Sequence, residues 1–252
     1  ISRTAHEMDV VPYFVGGLVR DLLLGQPIVD VDMVVEGDAI GLADRLADRF
    51  GGRVIAHRRF GTAKWILSDQ VWANVADHVS PADELPPSVD FVTARTEFYE
   101  RPTVLPEVER SSIKQDLYRR DFTINTLAVC LDRDRYGELL DFYGGQRDIA
   151  NRRIRVLHNL SFVEDPTRIV RAVRFEQRLD FIVEERTAEL MDDALELLDH
   201  VTGERLRNEL YLILREERPE RMLERLHDLG ALAHIHRGLL YSAEMSGQFA
   251  RL

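Results

Sequence analysis

Two aspartates, Asp30 and Asp32, stand in the run Val29-Asp30-Val31-Asp32-Met33-Val34-Val35. The β-branched residues give this run strand propensity, and alternation along a strand turns residues two apart to one face. Two carboxylates so placed repel and raise each other's pKa unless a cation lies between them. Hard oxygen ligands of this kind suit Mg²⁺ held alongside phosphate. Upstream, Tyr13-Phe14-Val15 reads as a short strand running into Gly16-Gly17, with an apolar, helical stretch from Leu18 to Leu24 behind it. Paired glycines allow close backbone approach, and a helix start offers free N–H groups and the positive end of a dipole, so a phosphate can dock there. The chemistry implied is metal-assisted handling of a nucleotide phosphate.

Two further clusters extend that reading. Asp116, Arg119, Arg120, Asp121 and Asn125 fall within ten residues of one another. The two arginines supply forks for triphosphate oxygens, and Asp121 is suited to accept hydrogen bonds from ribose hydroxyls, which separate a ribonucleotide from a deoxyribonucleotide. Later, Asp165-Pro166 marks a helix start, with aspartate capping free N–H groups and proline at the first turn. Asp165 and Arg168 are three apart and lie side by side on that helix, presenting acceptors beside a planar row of donors, like the hydrogen-bonding edge of a nucleobase. Arg171, Arg174 and Arg178 continue near the same face and are placed to meet an RNA end. Each fragment alone has a plainer reading: a strand-to-helix turn, a surface helix end, a cap with a surface arginine. Their succession in one chain is what argues for chemistry.

The succession carries a resemblance. GGLVRDLLLG followed by DVDMVVEGDA resembles the first motif of the class II tRNA nucleotidyltransferase and poly(A) polymerase family, which adds nucleotides to RNA 3′ ends without a template. RRDFTINTLA at 119–128 is similar to the second motif, DFYGGQRD at 141–148 to a connecting one, EDPTR at 164–168 to the base-reading E-D-x-x-R, and Arg205 to Leu210 to a neck-helix motif. The likeness runs from about residue 10 to about 215 in the family's order. It implies Asp30 and Asp32 as catalytic Mg²⁺ ligands, with Asp90 as a third acidic residue facing them. It implies Gly16, Gly17, Arg20, Arg120, Asp121 and Asn125 as nucleotide-binding, Asp165 and Arg168 as base-reading, and Glu164 in support. The partners implied are a tRNA 3′ end and ATP, with CTP as an alternative. The wording of the later motifs is most similar to the A-adding branch, whose members often carry extra domains ahead of the head. That fits a chain opening at Ile1 as an excerpt of something longer.

The elements must position these residues. After the D-x-D strand, Gly37 breaks the run, and Ile40, Leu42, Ala43, Leu46, Ala47 and Phe50 recur at helical spacing until Gly51-Gly52. Arg53–His57 and Thr62–Leu67 read as strands around a turn, and Val89–Val92 and Leu139–Phe142 as further strands. Ser68–Ser88, with Pro81, Pro86 and Pro87, reads as an irregular connection. Arg95–Ile113, carrying Arg95, Arg101, Arg110, Pro102 and Pro106, reads as a loop that contacts substrate. Alternating strands and helices imply an α/β nucleotidyltransferase head, a mixed β-sheet with flanking helices, over residues 1–157. Long helical periods then predict an all-α neck and the start of an RNA-binding body over 158–252, with helices near 166–179, 186–199, 203–217 and 219–229.

Composition sets bounds on this reading. At 252 residues, 45% apolar and 31% charged, the chain is that of a globular protein with a sizeable core. No run approaches the ~20 apolar residues that span a bilayer. Cys130 is the one cysteine and sits in an apolar run, so it reads as a buried hydrophobe in a reducing cytoplasm. The net charge of −11 opposes an RNA partner, but residues 151–180 hold seven arginines against four acids, a local +3. Readings from other classes are a poly(A) polymerase, a non-catalytic RNA-binding protein that keeps the fold, and a small-molecule nucleotidyltransferase; the arginine-bearing helical neck argues against the last.

Overall fold

The computed structural model describes residues 1–28, 30–75, 85–98, 107–239 and 241–242. Val29, Pro81, Arg101, Pro102 and Pro106 lie outside the described residues. The chain divides into two compact units, the first made of Ile1–Phe98, Val108–Arg120 and Ile124–Gln146, the second built on Asp121–Thr123 and the chain from Arg147 onward.

The first unit opens with α1 (Ser2–Glu7), β1 (Val11–Val15), α2 (Gly17–Leu23), β2 (Val31–Glu36) and α3 (Ala39–Phe50). It continues through β3 (Arg53–His57), β4 (Thr62–Ile66), α4 (Asp69–Val75), β5 (Ser88–Thr93), β6 (Arg95–Phe98), β7 (Glu107–Arg110), α5 (Ile113–Tyr118), β8 (Leu127–Cys130) and β9 (Leu139–Asp141). A mixed seven-stranded sheet runs β3-β4-β5-β2-β1-β8-β9, with β2 and β5 parallel and the other pairs antiparallel. Alternation along β2 divides its side chains between two cores. Met33 and Val35 pack with Leu42, Ala43 and Leu46 of α3, whereas Val34 packs with Tyr13, Val15 and Leu117. The α3 helix starts where Asp38 accepts from the Gly41 N–H at 3.0 Å and stops at Gly51, whose φ of 88° favours glycine.

The second unit takes over within α6 (Gly145–Ala150) and runs through β10 (Arg153–Ile154), α7 (Ser161–Glu164), α8 (Thr167–Leu179), β11 (Ile182–Val183), α9 (Glu185–Asp193), α10 (Gly203–Leu214), α11 (Pro219–Asp228) and α12 (Ala231–Ile235). α8 is buried around most of its circumference, with Ile169, Val170, Val173 and Phe175 among its core residues. Phe175 meets Phe122 edge to face at 5.9 Å between ring centres. Among the described residues no helix is long and apolar enough to cross a membrane.

Four stretches differ from expectation. The connection after Ser68 carries the seven-residue α4, because Val71 packs on the α3 core despite the polar text around it. The segment read as loop from Arg95 to Ile113 contains β6 and β7, which pair with each other and need no burial pattern to form. The strand read as Leu139–Phe142 stops at Asp141, because the Asp141 carboxylate accepts from the N–H groups of Gly144, Gly145 and Gln146 where α6 opens. The helix expected over 186–199 breaks at Ala194 into α9 and a 3₁₀ segment, Leu195–His200.

Candidate active site

In the first unit, β2 begins at Val31, so Asp30 stands one residue ahead of the strand and Asp32 within it. Both are exposed. Asp32 lies opposite Asp90 in the parallel pairing, and Asp90 opposite Lys64 in the antiparallel one, which makes one row across three strands. Lys64 Nζ donates to Asp90 Oδ2 at 2.7 Å. Although Asp32 is exposed as a residue, protein atoms crowd its carboxyl, and this desolvation raises its pKa. The charges of Asp90 and Asp30 push the same way, while Arg120 and Lys64 oppose them. Among the described residues no three His, Cys, Asp or Glu side chains stand together as a ready-made metal cage. The Asp30 and Asp32 oxygens nevertheless fit a hard divalent cation, which would relieve the repulsion that lifts Asp32.

The turn after β1 supplies the opposite charge. Gly16 has φ 67°, and its N–H donates to the Leu127 carbonyl at 3.2 Å. A Cβ at Gly16 would sit 2.7 Å from Arg120 Nη1, so glycine is required for both conformation and space. Arg120 is anchored through Nη2 to the fully buried Asp116 at 3.2 Å, which also holds Arg119 at 2.8 Å. Its Nε is buried with no hydrogen-bond partner among the described residues. A buried guanidinium donor without a partner among the described residues, on a side chain packed against a glycine turn, is fitted to donate to an anionic oxygen. Arg20 is 3% exposed, bonds Asp21 at 2.8 and 2.9 Å, and donates to Asn125 Oδ1 at 2.7 Å. Arg20 and Asn125 therefore tie α2 to the segment ahead of β8 and hold the Gly16-Gly17 turn in place.

In the second unit, Asp121 accepts from the Phe122 N–H at 2.8 Å and from Arg171 Nη1 at 3.1 Å. Asp165 caps Thr167, accepting from its N–H at 3.1 Å and its hydroxyl at 2.6 Å, and receives Arg205 Nη2 at 2.7 Å. Arg168 is 4% exposed, donates to the Ser161 carbonyl at 3.3 Å, and lies 4.0 Å from Glu164. Glu164 also stands 3.5 Å from His158, whose pKa burial lowers. Arg171 is enclosed by Asp121, Glu209 at 3.0 Å and Asp165 at 3.9 Å, and these acids together hold its pKa above the ordinary arginine value against desolvation. Arg174 and Arg178 both reach Glu216, at 3.3 and 3.9 Å. The local excess of positive charge around α8 is thus largely met by Glu209 and Glu216, 38 and 42 residues downstream of their partners.

The family profile described as "Poly A polymerase head domain" matches residues 12–155, more than half of the chain. The chain belongs to this poly(A) polymerase head-domain family. A second profile, "Probable RNA and SrmB- binding site of polymerase A", matches residues 180–241. Among curated relatives of this head-domain chain, the A-adding tRNA nucleotidyltransferase of Geobacter sulfurreducens is 48% identical over 95% of it. That of Halalkalibacterium halodurans is 37% identical over 100% of it. The chain spans 26% of the first relative and 56% of the second. A solved CCA-adding enzyme in an apo form superposes with a TM-score of 0.85 at 42% identity, covering 99% of this chain and 55% of that one. A tRNA nucleotidyltransferase complexed with a primer tRNA and an incoming ATP analog gives 0.81 at 40% identity, covering 98% and 65%.

Within this head-domain chain, three participants escaped the sequence reading. Lys64 is one of only two lysines and falls two strands from Asp32, a signal visible only once strand order is known. Asp116 read as one member of a polar cluster, yet it is the buried anchor for Arg119 and Arg120. Glu209 lies inside the Arg205–Leu210 motif that was recognised, but its bond to Arg171 was not.

Proposed function

We propose that this chain carries the nucleotidyl-transfer centre of an enzyme that adds the terminal A to a tRNA 3′ end using ATP, releasing pyrophosphate. The observation that carries the proposal is the first unit's pairing of unlike charges. Asp32, with Asp30 and Asp90 around it, lies within electrostatic reach of Arg120, whose Nη1 stands against the Gly16 turn. A metal-bound triphosphate satisfies both. In this reading residues 1–157 are the head and 158–252 the neck and start of an RNA-binding body, and the enzyme works in the cytoplasm.

The reaction is attack of the RNA 3′-hydroxyl on the α-phosphate of the triphosphate. Asp30 and Asp32 would hold Mg²⁺, which supplies a lowered hydroxyl pKa and stabilisation of charge on the attacking and leaving oxygens. Lys64 neutralises Asp90 and leaves the Asp30–Asp32 pair as the ion's ligands. The Gly17 amide and Arg120 bind the triphosphate beside Gly16, while Arg20 and Asn125 keep that turn rigid. Asp121 accepts from the ribose hydroxyls. Asp165 and Arg168 read the base edge, fixed by Thr167, Arg205 and Glu164, so that no template strand is required. Arg171 holds Asp121 and Asp165 in register.

Support for A as the added nucleotide comes from the relatives named A-adding, at 48%, 43% and 37% identity, against 38% for one named CC-adding and 33% for one named CCA-adding. The runner-up, addition of all of CCA, is favoured by the 0.85 superposition on a CCA-adding enzyme. Transcripts ending at the discriminator base, at C and at CC, each supplied with only ATP or only CTP, decide between them. A single A added to the CC-ended transcript is the expected result; CTP use selects the full enzyme, and long tails on unrelated RNA select a poly(A) polymerase. Asp30→Ala with Asp32→Ala is expected to abolish every one of these products while the fold survives.

A further inference from the structure

One end of the first unit carries an aromatic cluster, anchored to the core through Tyr143, whose exposed rings the proposed chemistry does not use. Tyr118, the last residue of α5, and Phe142, the residue after β9, are 47% and 43% exposed. Between them Tyr143 is half-buried, with ring centres 5.6 Å from Tyr118 and 6.3 Å from Phe142. Its hydroxyl donates to the Lys114 carbonyl at 2.8 Å, which fixes it as the cluster's pillar. Lys114, the second of the chain's two lysines, sets its Nζ 5.7 Å from the Phe142 ring centre. Burying Tyr143 makes structural sense, but two further rings left in water beside a cation do not follow from core packing.

The position of the cluster says what it is for. Asp141 pairs with Leu127 of β8, and the Leu127 carbonyl accepts the Gly16 N–H, so Phe142 leaves the sheet at the same end as the Gly16 turn. Strand β2, which brings in Asp32 at that end, lies three places from β9 in the sheet. At ~4.8 Å per strand this separates them by about 14 Å, roughly four stacked nucleotide steps of ~3.4 Å. Tyr118 directly precedes Arg119 and Arg120. Asp116 is neutralised by Arg119 and Arg120. Exposed rings next to a cation form a stacking platform for single-stranded nucleic acid.

We propose that Tyr118, Phe142 and Lys114 form an RNA-binding subsite that stacks an unpaired base of the acceptor strand a few nucleotides back from the reacting 3′ end. The subsite rests on the RNA 3′-end reading above and adds to it a place where the strand is held by its bases rather than by its phosphates. It would be tolerant of sequence, because every base has a π face.

The test uses short RNAs carrying 2-aminopurine at successive positions before the 3′ end, bound to the intact chain and to Tyr118→Ala/Phe142→Ala, with Tyr118→Phe as the conservative control. One internal position is expected to show stacking-induced quenching with the intact chain and with Tyr118→Phe, but not with the double variant. The double variant is expected to raise Kd for the RNA, and KM for RNA in extension, by at least about fivefold, with KM for ATP and kcat unchanged. RNA affinity within twofold of the intact chain overturns the subsite, as does an intact chain that binds no RNA, or an apolar peptide that displaces the 2-aminopurine RNA from the intact chain as well as a poly-A strand does. If the intact chain quenches the probe but extends no RNA, the subsite stands and the transfer reading falls.

Discussion

At the scale of single residues, Gly16 and Asp32 place opposite demands on the site. Gly16 adopts φ 67° and leaves room for Arg120 Nη1 that a methyl would fill. Gly16→Ala is expected to destabilise the fold by about 1–3 kcal/mol from backbone strain alone and to reduce transfer more than 100-fold, since Arg120 must move; urea melts and single-turnover assays check the two effects separately. Asp32 behaves in the reverse sense. Its folded pKa is raised, so the folded state binds its proton more tightly than the unfolded chain, and its contribution to stability is present at low pH and lost as pH rises through the folded value. Ionised Asp32 therefore costs stability at neutral pH unless a cation relieves it. Asp32→Asn is expected to abolish transfer yet melt at or above the parent's temperature in EDTA, and Mg²⁺ is expected to raise the melting temperature of the parent but not of the variant. Parallel Mg²⁺ shifts in both proteins would remove Asp32 from the metal site. His158 gives a third sign. Burial lowers its folded pKa, so its neutral form is the one folded against Glu164 and Arg168. Stability falls as pH drops below the ordinary histidine value, and His158→Gln flattens that fall in melts recorded from pH 7.5 to 5.

At the scale of elements, the legible parts were those whose chemistry is local. α3 announces itself through its period because one face of it is buried, while the strand before Gly16, the D-x-D strand and α8 do so through apolar runs bounded by Gly16, Gly37 and Asp165-Pro166. What stayed hidden depends on partners far along the chain. β6 and β7 pair with each other, and a short strand pair of this kind has no apolar face to advertise it. Lys64 acquires meaning only because β5 lies between β4 and β2. The arginines of α8 read as an RNA-facing row until Glu209 and Glu216 are brought against them. This zipper has a testable consequence. Glu216→Gln should cost about 1–3 kcal/mol, as when a part-buried hydrogen-bonded group loses its partner, while releasing Arg174 and Arg178. RNA binding by the variant is expected to tighten and to become more salt-sensitive; unchanged affinity would show that these guanidinium groups face away from the strand.

At the scale of the whole molecule, the proposed function asks a chain of net charge −11 to hold a polyanion. Sequence counting suggested that a local arginine excess solves the problem, but the partners of Arg171, Arg174 and Arg178 remove most of that excess. The alternative is recognition that relies less on phosphate neutralisation and more on stacked bases, a bound metal and a few placed donors such as Arg120 and Lys114. Counterion release distinguishes these two designs, because log K falls with log salt in proportion to the phosphates neutralised, at about 0.7 per phosphate for single strands. With two or three cations engaged, the slope for a CC-ended single strand is expected to be no steeper than about −2, and Lys114→Gln should make it shallower by roughly one phosphate's share. A much steeper slope, insensitive to Lys114 but reduced by Arg174→Gln, would mean that the α8 arginines leave their glutamates for the RNA, and that the ion pairs around α10 are a resting arrangement rather than the working one.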